Sequence, residues 1–560
     1  MSSWLLGLGG SDHDFSAALS QGTDLRVAIE QERLSRRKHS IPLWYESPNQ
    51  RSIEYCLDTV GIELRDVDAI VSSDTLPARV RHDLREYPLE LYPHHLCHAA
   101  SAYMMLTPGI RAGVLVWDGY GSILEGQSDQ LRLQRETISF FMFHRDGYEQ
   151  LGGTAGLAFF EKDDFPVSVT NSVGMLYELI TGLLGYDPMD AGKVMGLSSY
   201  GVPRYVKELE KFVTFGSTMS DCFRCDFDDG RLASTIEELL LSRVSTFTVK
   251  ADIAASLQAI TNRTLLHCAS FFAKQRVQSL CISGGCGLNT VANSYLVANS
   301  SLNVPLVIPP HCGDSGLAFG ALWLELHQRT HTMPQMTFRG SSNPTKFSRP
   351  GRSYTSQERQ LAVQDFYPRL MHDPAVSSAA ELAKVLAEGA VVGVLNLASE
   401  VGPRALGGRS IFADPRSVLT RERINRVFKG REPFRPLAPM VLRCNYEEYF
   451  EDPRYVDSFM LKNARVRERC RIEAPAVVHV DGTARVQVID EDGDMFLIDL
   501  LVAFKAISGV GMLVNTSFNR RGEPVVETPR DAIDAFLGME LDGLYVDGDY
   551  YRSSSRSLSS

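Results

Sequence analysis

His94 and His98 stand four residues apart in the run YPHHLCHAASAY. On a helix that spacing projects both imidazoles from one face, at the separation a single cation requires. His95 is out of that phase, so His94 is the partner of His98. Downstream, the apolar run Gly113 to Trp117 ends at Asp118 and is followed by Gly119 and Gly121. A carboxylate at the carboxyl end of a buried strand, beside glycines that admit a ligand to the backbone, suits a metal or a phosphate. A second carboxylate, Asp314, comes from NVPLVIPPHCGDSGLAFGA, between an apolar strand and a small-residue helix. Two imidazoles and two carboxylates make a mixed N/O set that suits iron, manganese or zinc better than calcium.

The second half of the chain carries a different chemistry. ASEVGPRALGGRSIFADPR places Arg404, Arg409 and Ser410 around a Pro–Gly turn, and RERINRVFKGREPFRPLAP adds Lys429, Arg431 and Arg435. These cations, interleaved with Gly and Pro, read as a polyanion pocket, because the planar guanidinium fork matches phosphate and carboxylate oxygens in pairs. APAVVHVDGTARVQVI contributes His479 and Arg485, and GMLVNTSFNRRGEPVV ends in a turn with Asn515, Ser517 and Asn519. Amides and hydroxyls in such a turn can grip a small planar polar group. A third motif, SGGCGLN, runs from the strand Ser279 to Ile282 through Gly284 and Gly285 to a helix beginning near Asn289. Strand, glycine turn and helix present free backbone amides to a phosphate or a nucleoside edge. Lys193 in GKVMGL is a further phosphate candidate, whereas GxGxxG, the dinucleotide signature, does not occur.

The elements that must position these groups follow an α/β pattern. Residues 4–10 form a first strand, followed by a turn with His13 and Asp14. Val27 to Ile29 form a strand that runs into a basic stretch with Arg33, Arg36, Arg37 and Lys38, read as a solvated face or an anion site. Residues 50–62 are helical, 130–152 alternate as antiparallel strands, 171–201 give a helix and two Gly-rich turns, and 249–276 form one long helix. APAVVHVDGTARVQVI reads as a strand pair. The polar, Pro/Ser/Arg-rich stretch 328–357 is the linker candidate. It separates a domain over 1–345, with a linker at 346–360, from a domain over 361–560.

With 560 residues, of which 44% are hydrophobic, the chain supplies more than one core. Lys+Arg 57 against Asp+Glu 68 leave a net charge of −11, which argues against a nucleic-acid partner. The N-terminus lacks a basic region ahead of its short apolar run, so no signal peptide is expected, and no apolar run is long enough for a membrane span. Ten cysteines in mostly apolar contexts read as reduced thiols of a cytoplasmic protein, and the single CxxC, Cys222 and Cys225, has no second pair to complete a zinc site.

Taken together, HHLCHAASAY, DGYG, GKVMGL, SGGCGLN, GDSGLAFGA, GPRALGGRSI, REPFRPLAP, HVDGTARVQ and NTSFNRRGEP resemble the O-carbamoyltransferase family of nodulation-factor and antibiotic-tailoring enzymes, in the family's order from about residue 4 to 545. The resemblance implies an α/β protein with an N-terminal actin-like (ASKHA) domain, similar to threonylcarbamoyl transferases, followed by a YrdC-like domain. It implies a C-terminal site that joins carbamoyl phosphate and ATP, with Mg, into carbamoyl-adenylate. An N-terminal site holding Fe(2+) or another divalent metal would pass the carbamoyl group to a hydroxyl of a small-molecule acceptor. Carried over by motif, His94, His98, Asp118 and Asp314 are metal ligands, His13 is the base, taken as neutral near pH 7, and Lys38 joins it as catalytic. Gly121, Gly174, Lys193, Gly284, Gly285 and Asn289 face the nucleotide. Arg404, Arg409, Ser410, Lys429, Arg431, Arg435, His479, Arg485, Asn515, Ser517 and Asn519 face carbamoyl phosphate and ATP. Two departures, Ala191 before GKVMGL and Cys286–Gly287 in SGGCGLN, alter contacts rather than chemistry. The acceptor cleft is expected in loops such as 40–50 and 150–168, and a homodimer is left open. The alternatives are a hydrogenase-maturation carbamoyltransferase, which has paired CxxC motifs and the reverse domain order, and a non-catalytic nucleotide-binding scaffold. The net charge disfavours a tRNA-modifying role.

Overall fold

Fully buried strands such as Leu5 to Gly9, Ala112–Trp117 and Val392–Leu395 alternate with helices in the computed structural model, giving a mixed α/β architecture. The structure describes residues 3–11, 13–40, 49–124, 133–160, 166–227, 230–241 and 246–554. The chain divides into two compact units, one of residues 1–26 and 56–344, the other of residues 27–55 and 345–560.

The first unit repeats one strand plan. In its first sheet the order is Thr337–Phe338, Asp24–Glu30, Ser16–Gln21, Trp4–Gly9, Ala69–Ser73, Leu89–Tyr92, and the cut between units falls inside Asp24–Glu30. In its second the order is Leu306–Val307, Ser279–Ser283, Ala112–Trp117, Leu133–His144, Gly147–Phe160, Pro166–Val169. In each, the first strand in the sequence pairs antiparallel with the strand that follows it and parallel with a later one. The helices His94–Tyr103 and Leu317–Thr330 pack closely, because at Gly320 a Cβ would lie 1.8 Å from the Cys97 carbonyl oxygen. That approach draws Asp314, one turn ahead of the second helix, towards the histidines of the first.

The second unit is built on an eight-stranded mixed sheet ordered Leu370–His372, Asp549–Ser553, Gly543–Val546, Val392–Leu395, Arg409–Ala413, Met512–Ser517, Ala438–Leu442, Gln487–Ile489. Leu382, Leu386, Leu500, Phe504, Ile533 and Phe536, from three helices, belong to its buried core.

Four expectations change. The stretch 346–360 is not a solvated linker: it follows the turn Pro344–Ser348, buries Phe347 and Tyr354, and starts the helix Ser356–Gln364 with a Thr355/Glu358 capping box. Residues 27–55 join the second unit, so the division of the chain is not a single break near 345. GKVMGL is helical, within Ala191–Ser198, where glycine turns were expected. The stretch 475–490 holds the turn Pro475–Val477 and two short strands, Thr483–Ala484 and Gln487–Ile489, which pair with Ala464–Arg465 and Ala438–Leu442 rather than with each other. Alternation alone does not name a strand's partner.

Candidate functional site

His94, His98, Asp118 and Asp314 converge, all buried, with ligand atoms within 4.8 Å of one another. The two Nε2 atoms are 3.1 Å apart, each is 3.2 Å from Asp118 Oδ2, and Asp314 Oδ1 is 3.4 Å from His98 and 3.8 Å from His94. Such separations are the edges of a coordination polyhedron with bonds of about 2.1 Å, so the donor set fits one divalent cation. Around it, side chains fix each group. Thr75 Oγ1 meets His94 Nδ1 at 2.7 Å, Ser11 Oγ donates to Asp314 Oδ2 at 2.6 Å, and the Gly119 and Gly285 amides each donate to Asp118 Oδ1 at 2.9 Å. His95 points elsewhere, with Nδ1 2.7 Å from Ser139 Oγ, as the helical phase requires. Burial opposes a charge on Asp118, yet hydrogen bonds from His94 and His98 hold it well below the usual carboxylate range. Burial likewise opposes protonation of His98, but Asp118 and Asp314 raise it to about 9.

His13 corrects an expectation. Its Nδ1 lies 3.0 Å from Asp14 Oδ2. Burial works against its charge, but Asp14, Asp314 and Glu178 outweigh that and raise it to about 10, so the resting imidazole is protonated at neutral pH. The glycine turn also behaves differently from a free phosphate cradle. Gly284, at φ +89° with its Cα against the Trp117 carbonyl, donates its amide to Cys312 O, and the Gly285 amide is spent on Asp118. Asn289 caps the helix Thr290–Asn299 by accepting from Ala292 N and also receives Gln258 Nε2. Lys193 pairs with Asp190 at 2.6 Å. Gly121 and Gly174 pack against His95 and Gly119. Glu178, on the helix Val173–Leu183 four residues past Gly174, was missed in the sequence; that i,i+4 offset was the signal available.

In the second unit, Arg404, Arg431, Arg435 and Arg485 share one electrostatic neighbourhood. Burial foremost, and then the charges of Arg404, Arg435 and Arg431, push Arg485 well below the usual arginine range. Burial and the neighbouring Arg435 bring Arg431 down to about 9. Lys429 is lowered by burial first and then by Arg431 and Arg435, and its ammonium donates, among the described residues, to neutral oxygens: Ser517 O at 2.6 Å, Ser517 Oγ at 3.1 Å and Asn519 Oδ1 at 3.2 Å. Arg431 Nη2 and Arg485 Nε are buried without a hydrogen-bond partner among the described residues. His479, with Nδ1 3.1 Å from Thr483 Oγ1, is lowered to about 4 by burial first. Glu432 offsets part of this repulsion at Arg431, and the remaining excess of positive charge is the field a polyanion needs.

Other residues expected to touch substrate serve the scaffold. Arg409 is fully buried and donates to the carbonyls of Glu527, Leu397 and Gly408. Ser410 Oγ accepts from Gly407 N, and Asn515 Nδ2 donates to Ala405 O. The basic run after Ile29 is neither a solvated face nor an anion site throughout. Arg33 is buried on Glu30 and Gly402 O, and Arg36 donates to Val525 O and Pro524 O. Lys38 lies exposed in the second unit. The loops expected to form the acceptor cleft fall partly outside the described residues, at 41–48 and 161–165.

The family description "Carbamoyltransferase N-terminus" matches residues 5–85 and 75–323, and "Carbamoyltransferase C-terminus" matches 383–552. Similar chains include nodulation protein NolNO of Sinorhizobium fredii, 32% identical over 96% of this chain and 78% of that one. They also include nodulation protein NolO of Bradyrhizobium diazoefficiens, 32% identical over 83% and 79%, and nodulation protein U of Rhizobium fredii, 28% identical over 84% and 76%. Among solved structures, full-length HypF in the phosphate- and nucleotide-bound form aligns at TM-score 0.37 and 14% identity over 57% of this chain and 55% of its own, a distant likeness that says nothing of activity. In the described residues no helix is long and apolar enough to cross a membrane.

Proposed function

The chain belongs to the carbamoyltransferase family, and from that premise we propose that it is an ATP-dependent O-carbamoyltransferase working through a carbamoyl-adenylate. The observation that supports this most is the pairing of two unlike sites, a buried His/Asp tetrad in one unit and an arginine-rich cation cluster in the other. In the second unit, which we read as YrdC-like, Arg404, Lys429, Arg431, Arg435 and Arg485 would hold the phosphates of carbamoyl phosphate and ATP. For the atoms to balance, water removes orthophosphate from carbamoyl phosphate. The carbamate oxygen then displaces pyrophosphate from the ATP α-phosphorus, giving the mixed anhydride. Cations fixed in advance stabilise charge that develops on the phosphoryl oxygens without reorganising.

In the first unit, read as actin-like, His94, His98, Asp118 and Asp314 would hold a divalent cation such as iron, which when bound supplies Lewis-acid polarisation of a carbonyl or phosphoryl oxygen. The acceptor hydroxyl attacks the carbamoyl carbon and AMP leaves. His13, with Asp14 on Nδ1, has Nε2 left to take the hydroxyl proton once its resting proton is gone. Lys38 we keep as a catalytic candidate. The acceptor we place among hydroxylated small molecules, sugars or natural products. Purified protein given carbamoyl phosphate and ATP should release pyrophosphate only when both are present, and carbamoylate some member of a panel of hydroxylated metabolites. Pyrophosphate release that ignores carbamoyl phosphate would refute the reading.

A further inference from the structure

Side chains clasp the backbone on both sides of Arg404, and one buried carboxylate is the hub. Glu400, fully buried, accepts with a single oxygen, Oε1, from three amides of its own loop: Leu406 N at 2.7 Å, Gly408 N at 2.7 Å and Arg409 N at 3.1 Å. Upstream of Arg404, Glu30 Oε1 accepts from Gly402 N at 3.2 Å while Arg33 Nη2 donates to Gly402 O at 2.9 Å. Downstream, Asn515 Nδ2 holds Ala405 O at 3.1 Å and Gln487 Nε2 holds Leu406 O at 3.0 Å. Pro403 stiffens the link that leads into Arg404.

We propose that Glu400 is a positioning residue that holds the 401–409 loop so that Arg404 meets a phosphate already aimed, a role resting on the reading above that Arg404 grips the donor's phosphates. A carboxylate accepting N–H bonds holds them about twice as strongly as a neutral oxygen does. Its neighbours keep it ionised: burial opposes the charge, but Arg349, Arg33 and Arg409 hold it below the usual range. The geometry would matter less if Arg404 stood alone. It shares its neighbourhood with Arg431, Arg435 and Arg485, and a loop free to swing would let mutual repulsion turn Arg404 away from the cluster. Fixing the loop converts that repulsion into affinity for an anion.

The test is a double-mutant cycle read with inorganic pyrophosphate as the probe, by calorimetry on the full chain, with amide hydrogen exchange over residues 401–409. Glu400→Gln keeps the side chain's size and one acceptor but removes the charge. It should weaken pyrophosphate binding about tenfold and speed exchange of the 405–409 amides. Arg404→Ala should weaken binding at least as much, and the double variant should bind no more weakly than Arg404→Ala alone. Wild-type affinity in Glu400→Gln, or losses that multiply in the double variant, would overturn the proposal. If Glu400→Gln does not fold, Arg33→Lys takes its place, with a loss of about threefold expected and unchanged affinity counting against the proposal. Wild-type protein that binds no pyrophosphate would sink both this role and the reaction it rests on. Pyrophosphate binding and a coupled cycle, without carbamoyl phosphate-dependent ATP–pyrophosphate exchange, would leave the positioning role standing and remove the reaction.

Discussion

The tetrad of the first unit and the cation cluster of the second are both buried and both charged, but they are balanced in opposite ways. Asp118 and Asp314 face His94 and His98 at 3.2–3.8 Å, so carboxylates and imidazoles support one another. Lys429, Arg431 and Arg485 each have Arg435 as a near like charge, and burial plus repulsion lowers all three, with Glu432 offsetting part of it at Arg431. The first site is therefore held together by the same groups that would bind its ligand. The second carries electrostatic strain that a bound polyanion would relieve.

That contrast is broken most sharply by removing one charge from each site and measuring stability in chelator-treated protein by denaturant titration. Asp314→Ala leaves imidazoles facing a single carboxylate and should destabilise by about 3 kcal/mol. Lys429→Met removes a cation from a like-charged group and should stabilise by about 1 kcal/mol. Losses of equal sign would erase the distinction.

How much of this was legible in the sequence differs between the two sites for the same physical reason. The tetrad could be read because helical phase selects His94 over His95, and a strand's end fixes where Asp118 lies. The cluster was visible as composition, but composition does not say which arginine is committed. Arg409, at the start of the strand Arg409–Ala413, turns into the core to bond three carbonyls, while Arg404, five residues earlier, belongs to the cluster. The SGG turn misled for a related reason. Its glycines look like free donors in the sequence, yet the Gly285 amide is what orients Asp118. Hydrogen-bond partners distant in sequence decide these cases, and the sequence gives no register for them. The two ends of the 27–55 segment were equally opaque, because membership of the second unit rests on pairs such as Arg33 with Gly402 and Tyr55 with Glu527.

A smaller effect sharpens the first half of the comparison. His13 is raised above an ordinary histidine to about 10 by the acids around it, so its base form appears only as pH rises. Transfer from preformed adenylate should climb about tenfold per pH unit between roughly 7 and 9. A plateau above about pH 7, as for an unperturbed histidine, would remove His13 as the base. Smaller still is Lys193→Ala. Its ammonium is occupied by Asp190 at a part-exposed helix start, so stability should change by less than about 0.5 kcal/mol, and a large rise in the KM for ATP would restore the phosphate role that this pairing argues against.

The central claim is that two separate sites run two separate half-reactions. It is tested most directly by assaying His98→Ala and Arg435→Ala side by side for carbamoyl phosphate-dependent pyrophosphate release and for transfer to an acceptor. His98→Ala should release pyrophosphate at the wild-type rate and transfer at least about a hundredfold more slowly, whereas Arg435→Ala should lose pyrophosphate release by a similar factor. Equal loss of both steps in both variants would contradict it.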